Sequence, residues 1–188
     1  MTGETFKFGL TPFYFVRHGE TGDSVRGILQ GQVETVLSDE GRLTAWKAAR
    51  VVLHDRPRSI YSSPLRRAWE TAEIISRMIA VPIVALPGLK ERDWGDFQGK
   101  PGNIRPNIDD PTGVESTALF RARVIDAMHS INGPLPVLVV AHSGVFRLLC
   151  SYAGIPFGRR NAVANGLVFR FEPPQSGGGP WHIEEIAE

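Results

Sequence analysis

A chain of 188 residues, 42% hydrophobic and 22% charged, has the size and composition of one globular domain spanning residues 1–188. At a net charge of +1 it carries no global field toward nucleic acid or a membrane surface, and no apolar run reaches the length of a membrane span. A lone Cys150 excludes an internal disulfide framework, and the polar lead-in over residues 1–11 lacks a secretion-type apolar core, so a cytoplasmic protein is expected.

Phe13-Tyr14-Phe15-Val16 runs straight into Arg17-His18-Gly19 with no polar spacer. A buried strand over about 12–17 therefore presents a cation and an imidazole at its carboxyl tip, where α/β sheets bind ligands. Gly19 is expected to permit a sharp exit and a close approach of backbone N–H groups to a ligand. The glycine-containing loop from Gly19 to Leu37 departs directly from that tip and is expected to line the pocket. Ser38 is a good N-cap, and Asp39 and Glu40 suit the first turn of a helix running to about Leu53. Its core stripe reads as Leu43, Trp46, Ala49, Val52 and Leu53.

A short strand over about 58–62 leads into Ser62-Ser63-Pro64-Leu65-Arg66-Arg67-Ala68 and a helix over about 65–80, with Ala68, Thr71, Ala72, Ile75 and Ile79 on one side. A third strand, Ile83 to Leu86, ends near Glu91. Residues 92–113, rich in proline and glycine, read as a small lid over the strand ends. Ala118 to Ile131 reads as a helix with Phe120, Val124, Ala127 and Met128 inward. A buried strand over about 136–142 ends in His142-Ser143-Gly144, and a helix over about 144–153 follows, with Val145, Leu148 and Leu149 on one face. Val168, Phe169 and Phe171 alternate with Arg170 and Glu172 as a late strand, and Trp181 to Ile186 is expected to pair back as an antiparallel edge. Strands alternating with helices predict a three-layer α/β/α sandwich with a mostly parallel central sheet.

Three stations at strand ends thus supply two histidines and two or three arginines, a pocket suited to a dianionic, tetrahedral group. Ser143 and Gly144 open a helix whose exposed N–H groups also favour an anion. His54, His129 and His182 have no such setting and read as solvated surface. Nothing has metal-ligand spacing, so neither a metal nor another cofactor is expected.

The ordered series Phe15-Val16-Arg17-His18-Gly19-Glu20-Thr21, Leu29-Gln30-Gly31, Leu37-Ser38-Asp39-Glu40-Gly41, Ser62 to Ala72, Leu89-Lys90-Glu91, Trp94 to Gly99 and Ala141-His142-Ser143-Gly144-Val145 resembles the histidine phosphatase superfamily, the phosphoglycerate-mutase-like group. The resemblance covers roughly residues 12–150. It implies a phosphomonoesterase acting on a small phosphorylated substrate through a covalent phosphohistidine on His18, with inorganic phosphate as product. It implies that Arg17 and Arg67 clamp the phosphoryl oxygens, with the neighbouring Arg66 facing solvent, and that His142 supports the equatorial oxygens. It assigns to Glu91, ahead of Glu20, Asp93 and Asp96, the proton for the leaving alkoxide and the activation of water. Ser24, Gln30, Gly31, Ser143 and Gly144 are expected to touch substrate.

Two positions depart from the family pattern. Ser24 stands where many relatives carry Asn, keeping a hydroxyl donor of shorter reach. Ile28 stands where relatives usually place Arg before Leu-Gln-Gly; it cannot bind an anion, and Arg26 is the nearest cation that could substitute. A phosphoglycerate-mutase-type transferase and a non-catalytic phosphate-binding module are the competing functions.

Overall fold

The computed structural model describes residues 11–104, 113–156, 163–174 and 179–187. Six strands form one sheet: β1 (Phe13–Arg17), β2 (Ser59–Ser62), β3 (Ile83–Ala85), β4 (Val137–Ala141), β5 (Val168–Glu172) and β6 (His182–Ile186), in the order β3-β2-β4-β1-β5-β6. The pairs β1–β4, β4–β2 and β2–β3 are parallel, whereas β5 runs antiparallel to β1 and β6 antiparallel to β5. The sandwich with a mostly parallel sheet and the antiparallel C-terminal edge are as the sequence predicts.

Strand alternation divides the core into two layers. Phe13, Phe15, Val137 and Val139 pack with α4 (Thr117–Ser130) and α5 (Ser143–Tyr152) on one face. Tyr14, Val16, Leu138 and Val140 pack with α2 (Asp39–Asp55) and α3 (Arg66–Ile79) on the other. The chain leaving β1 therefore turns to one face, and the chain leaving β4 turns to the opposite one. Adjacent strand tips that feed opposite faces are where α/β sheets bind ligands, and the catalytic candidates lie at these two tips.

The stripe expected on α2 is rotated. Leu43, Trp46 and Leu53 are more than two-fifths exposed, and the buried set is Ala45, Ala48, Ala49, Val51 and Val52. Small side chains let this helix lie close against α3 and the sheet, so the bulky residues are displaced to its flanks. Arg50 covers the Trp46 ring at 5.1 Å. His129 also departs from expectation: it is half-buried, its Nε2 3.3 Å from the Tyr152 hydroxyl.

Residues 105–112, the middle of the expected lid, lie outside the described residues. The part before them is laced onto the first loop. Leu29 N–H donates to the Lys100 carbonyl (2.8 Å), Gly99 N–H to the Leu29 carbonyl (2.9 Å) and Gly102 N–H to the Gly27 carbonyl (2.8 Å).

Gly19 serves a different purpose from the one expected. Its N–H donates to Thr71 Oγ1 (2.9 Å), not toward a ligand. A Cβ at Gly19 would lie deep inside contact distance of the Gly41 carbonyl, and one at Gly41 would strike the Glu20 carbonyl. Two glycines thus let the tip of β1 and the first turn of α2 touch backbone to backbone. Neither carbonyl can move away as a flexible side chain would. Gly19→Ala should cost about 3 kcal/mol, lowering Tm by roughly 10 °C in a thermal melt.

Candidate active site

β1 and β4 are in register with Arg17 opposite Ala141, so the next residues, His18 and His142, emerge side by side. Their ring centroids are 5.2 Å apart. Both are almost wholly buried, as is Arg67 at 1% exposure. Arg67 comes from the first turn of α3, which has no capping side chain of its own; Glu34 from the first loop accepts the Arg66 N–H there (2.8 Å). Arg66 itself is exposed, as expected.

The hydrogen bonds of His18 assign its tautomer. Nδ1 lies 2.8 Å from the Gly19 carbonyl, which can only accept, so Nδ1 carries the proton. Nε2 lies 3.3 Å from Arg67 Nε, which can only donate, so Nε2 presents a lone pair. Arg67 is braced by the carbonyls of Val33 (2.9 Å) and Gly31 (2.7 Å). Those three bonds leave two of its five N–H groups to meet an oxyanion. Arg17 donates from Nη1 to the Val163 carbonyl. Its Nε, like His142 Nδ1, is a buried polar atom without a hydrogen-bond partner among the described residues, whereas His142 Nε2 is 2.8 Å from Ser63 Oγ.

Glu91 follows β3 and a 3₁₀ turn (Pro87–Leu89). Its carboxylate accepts from Arg92 N–H (2.8 Å) and from Gly144 N–H at the start of α5 (3.0 Å). A Cβ on Gly144 would collide with that carboxylate, so glycine here is what admits Glu91 to the helix terminus. The backbone of Glu91 is pinned by Arg123 of α4, whose five N–H groups are all engaged. They donate to the carbonyls of Gly88, Lys90 and Glu91 (2.8, 2.8 and 2.9 Å) and to both carboxylate oxygens of Glu115 (2.6 and 2.7 Å).

Burial lowers the pKa values of the cationic groups. Desolvation, opposed in part by Glu91, pulls the Arg67 guanidinium down to about 10, and desolvation also lowers Arg17. Desolvation, with the Arg67 charge added, holds the imidazoles of His18 and His142 well below the ordinary histidine value. Both rings are therefore neutral at pH 7, and concentrated, poorly solvated positive charge awaits a dianion.

A stability consequence follows from those two rings. Unfolded histidine gains its proton as pH falls through about 6.5, while the folded rings stay neutral until much lower pH. In that window the unfolded state binds more protons, so acidification destabilises the fold by up to about 1.4 kcal/mol per pH unit per ring. Tm should be level from pH 8 to 7 and fall from pH 6.5 to 5, less steeply in His142→Gln; equal slopes would remove His142 from this role.

Several expected substrate contacts are committed elsewhere. Ser24 Oγ donates to the Thr21 carbonyl (2.8 Å) and accepts Thr21 N–H (2.9 Å), closing a capping box at α1 (Gly22–Val25). The side-chain amide of Gln30 donates to Thr21 Oγ1 (2.9 Å) and accepts from Thr35 Oγ1 (2.8 Å). Gly31 and Gly144 act through Arg67 and Glu91, as described. Ser143 is the half-buried first residue of α5, beside His142. Arg26, the cation nearest to Ile28 in the loop, is exposed and pairs with Asp23 (2.6 Å). Among the described residues no group of three His, Cys, Asp or Glu side chains could hold a metal ion, and no helix is long and apolar enough to cross a membrane.

Three participants were not singled out from sequence for the site. Ser63 lies within a motif already noted. Arg123 gave no signal beyond a charge beside inward-facing residues. Asn165, in an Asn-Gly turn before β5, donates from Nδ2 to the carbonyls of His18 (2.9 Å) and Gly19 (3.2 Å).

The sequence pattern of the histidine phosphatase superfamily (branch 1) matches residues 13–180. The chain belongs to this superfamily. A metal-independent phosphoserine phosphatase of Arabidopsis thaliana is 34% identical over 160 residues, 74% of this chain and 67% of the relative. A glucosyl-3-phosphoglycerate phosphatase of Mycolicibacterium vanbaalenii is 32% identical over 165 residues, 75% and 73% of the two chains. The solved structure of a mycobacterial glucosyl-3-phosphoglycerate phosphatase superposes with a TM-score of 0.73 at 25% identity, covering 94% of this chain and 99% of that one. As a member of the histidine phosphatase superfamily the chain is a phosphomonoesterase, taking a small phosphorylated molecule and releasing phosphate.

Proposed function

We propose that the chain hydrolyses small phosphate monoesters in two steps through a phosphohistidine on His18. The observation that carries the reading is the state of His18: a neutral imidazole, Nδ1–H spent on a carbonyl, Nε2 turned to the buried guanidinium of Arg67. In the first step the Nε2 lone pair attacks phosphorus, the ester P–O bond breaks, and Glu91 gives its proton to the departing alkoxide. In the second, Glu91 takes a proton from water, the oxygen attacks phosphorus, and the P–N bond breaks to release phosphate and restore His18. Arg17, Arg67 and His142 neutralise the equatorial oxygens, which is most of what phosphoryl transfer asks of a protein. His142 becomes protonated when the dianion enters, because the new negative charge reverses the balance that keeps it neutral.

The substrate class is an ester with an unactivated leaving group. Relatives act on phosphoserine and glucosyl-3-phosphoglycerate, which places both compounds first in a panel with 3-phosphoglycerate and simple alkyl phosphates. Ile28 brings no charge to bind a second acidic group, so alkyl phosphates should be turned over with a kcat/KM within about tenfold of the acidic esters. Phosphate release across the panel is the measurement. Conversion of 3-phosphoglycerate to 2-phosphoglycerate without phosphate release would overturn hydrolysis in favour of transfer.

A further inference from the structure

The nucleophile is useful only in one tautomer; the Gly19 carbonyl and Arg67 hold it directly, and a third group bears on it from outside the motifs that carry the catalytic residues. We propose that Asn165 is a positioning residue that helps to hold His18 in its Nδ1–H form, with an unprotonated Nε2 to attack phosphorus. The inference rests on His18 being the nucleophile and goes one layer further out from it.

The geometry is one-directional. The two acceptors facing the Asn165 side chain are the backbone carbonyls of His18 and Gly19, so its NH₂ group and not its oxygen must face them. Both N–H groups of that amide are thereby used. The Gly19 carbonyl then receives two donors, Asn165 Nδ2 and His18 Nδ1. Its orientation is set by the first and read by the second. A peptide carbonyl just after a strand tip, next to a glycine, would otherwise be free to tilt. If it tilted, Nδ1 would lose its acceptor, and the proton could pass to Nε2, where an imidazole has no lone pair with which to attack.

The turn carrying Asn165 is itself anchored. Gly166 N–H donates to the Arg17 carbonyl (3.0 Å), and Gly166 adopts φ = 75°, which allows the chain to reverse into β5. A Cβ on Gly166 would press on Thr44 of α2, so the turn is wedged between the tip of β1 and that helix. The amide therefore approaches His18 from a fixed platform, as a second layer of support does around other reactive side chains. The Nδ2–Nδ1 separation of 3.4 Å adds no bond in this tautomer, since both atoms carry hydrogen.

Asn165→Ala removes the brace, and Asn165→Asp keeps its size while placing an acceptor beside Nδ1. The readouts are p-nitrophenyl phosphate kinetics, formation of acid-labile phosphoprotein, and the ¹⁵N spectrum of the histidine ring. Wild type should show one neutral tautomer for His18. Asn165→Ala should show a mixture, with kcat down roughly 10-fold or more and KM within about threefold. Asn165→Asp should move the acidic limb of the rate profile to higher pH, because a carboxylate stabilises the imidazolium. A single Nδ1–H tautomer in Asn165→Ala, or a kcat within threefold of wild type, overturns the proposal. If Asn165→Ala does not fold, an Asn165→Asp pH profile superimposable on wild type overturns it equally. Wild-type protein that acquires no phosphoryl label on His18 would instead overturn the mechanism on which it rests.

Discussion

Replacing His18 with alanine should reduce phosphate release by about 10⁴-fold or more, the scale on which enzymes lose activity when a covalent nucleophile is removed. The loss should appear in kcat with every ester, because the nitrogen that bonds to phosphorus, His18 Nε2 beside Arg67, is gone. The fold should survive. His18 sits at the strand tip beyond the apolar residues of β1, and its backbone N–H donates to the Ala141 carbonyl (3.0 Å) whatever the side chain is. Removing it also relieves one of two dry imidazoles that sit beside buried guanidinium charge. Steady-state phosphate release, with circular dichroism to confirm folding, is the measurement. A His18→Ala variant that turns over and still acquires an acid-labile label would place the nucleophile elsewhere.

Glu91→Gln should separate leaving groups. For an alkyl ester the departing alkoxide needs a proton, and losing its donor should slow the first turnover by about 10² to 10⁴-fold. p-Nitrophenolate needs none, so it should appear in a rapid burst equal to the enzyme present. Steady turnover would then lag, because the same residue activates water against the phosphohistidine. Equal slowing of both esters in the first turnover would remove Glu91 from the donor role. The substitution also leaves one of the N–H groups of Arg92 and Gly144 facing an amide nitrogen, so Tm should drop by a few degrees. Arg123 and Glu115 hold the main chain of residue 91 independently of its side chain, which keeps the effect local.

The parts of the site that lie within short segments were readable in the sequence. An apolar run feeding directly into Arg17-His18, and another into His142, can scarcely be anything but buried strands ending in charge. The order of motifs between them carries the family. The helix faces were less readable. On α2 the large residues Leu43, Trp46 and Leu53 outweighed alanines in any hydrophobic count, yet close packing against α3 selected the alanines. From sequence, Ser24, Gln30 and Gly19 face a ligand, being polar or small in a pocket loop. In the folded chain their hydrogen-bonding groups are taken by Thr21, Thr35 and Thr71.

By itself, then, the sequence determined the sandwich, the strand tips and the identity of the charged groups, because strand periodicity and residue chemistry act over a few neighbouring positions. Tertiary structure alone decided which nitrogen of His18 is unprotonated, where Glu91 rests and what supports each of them. Those outcomes depend on contacts such as Asn165 with His18, 147 positions apart, and Glu91 with Gly144, 53 apart, which exist only once antiparallel β5 and helix α5 are docked beside β1. Hydrogen-bond direction is a property of atoms brought within 3 Å of one another, and no local pattern of residue types encodes it.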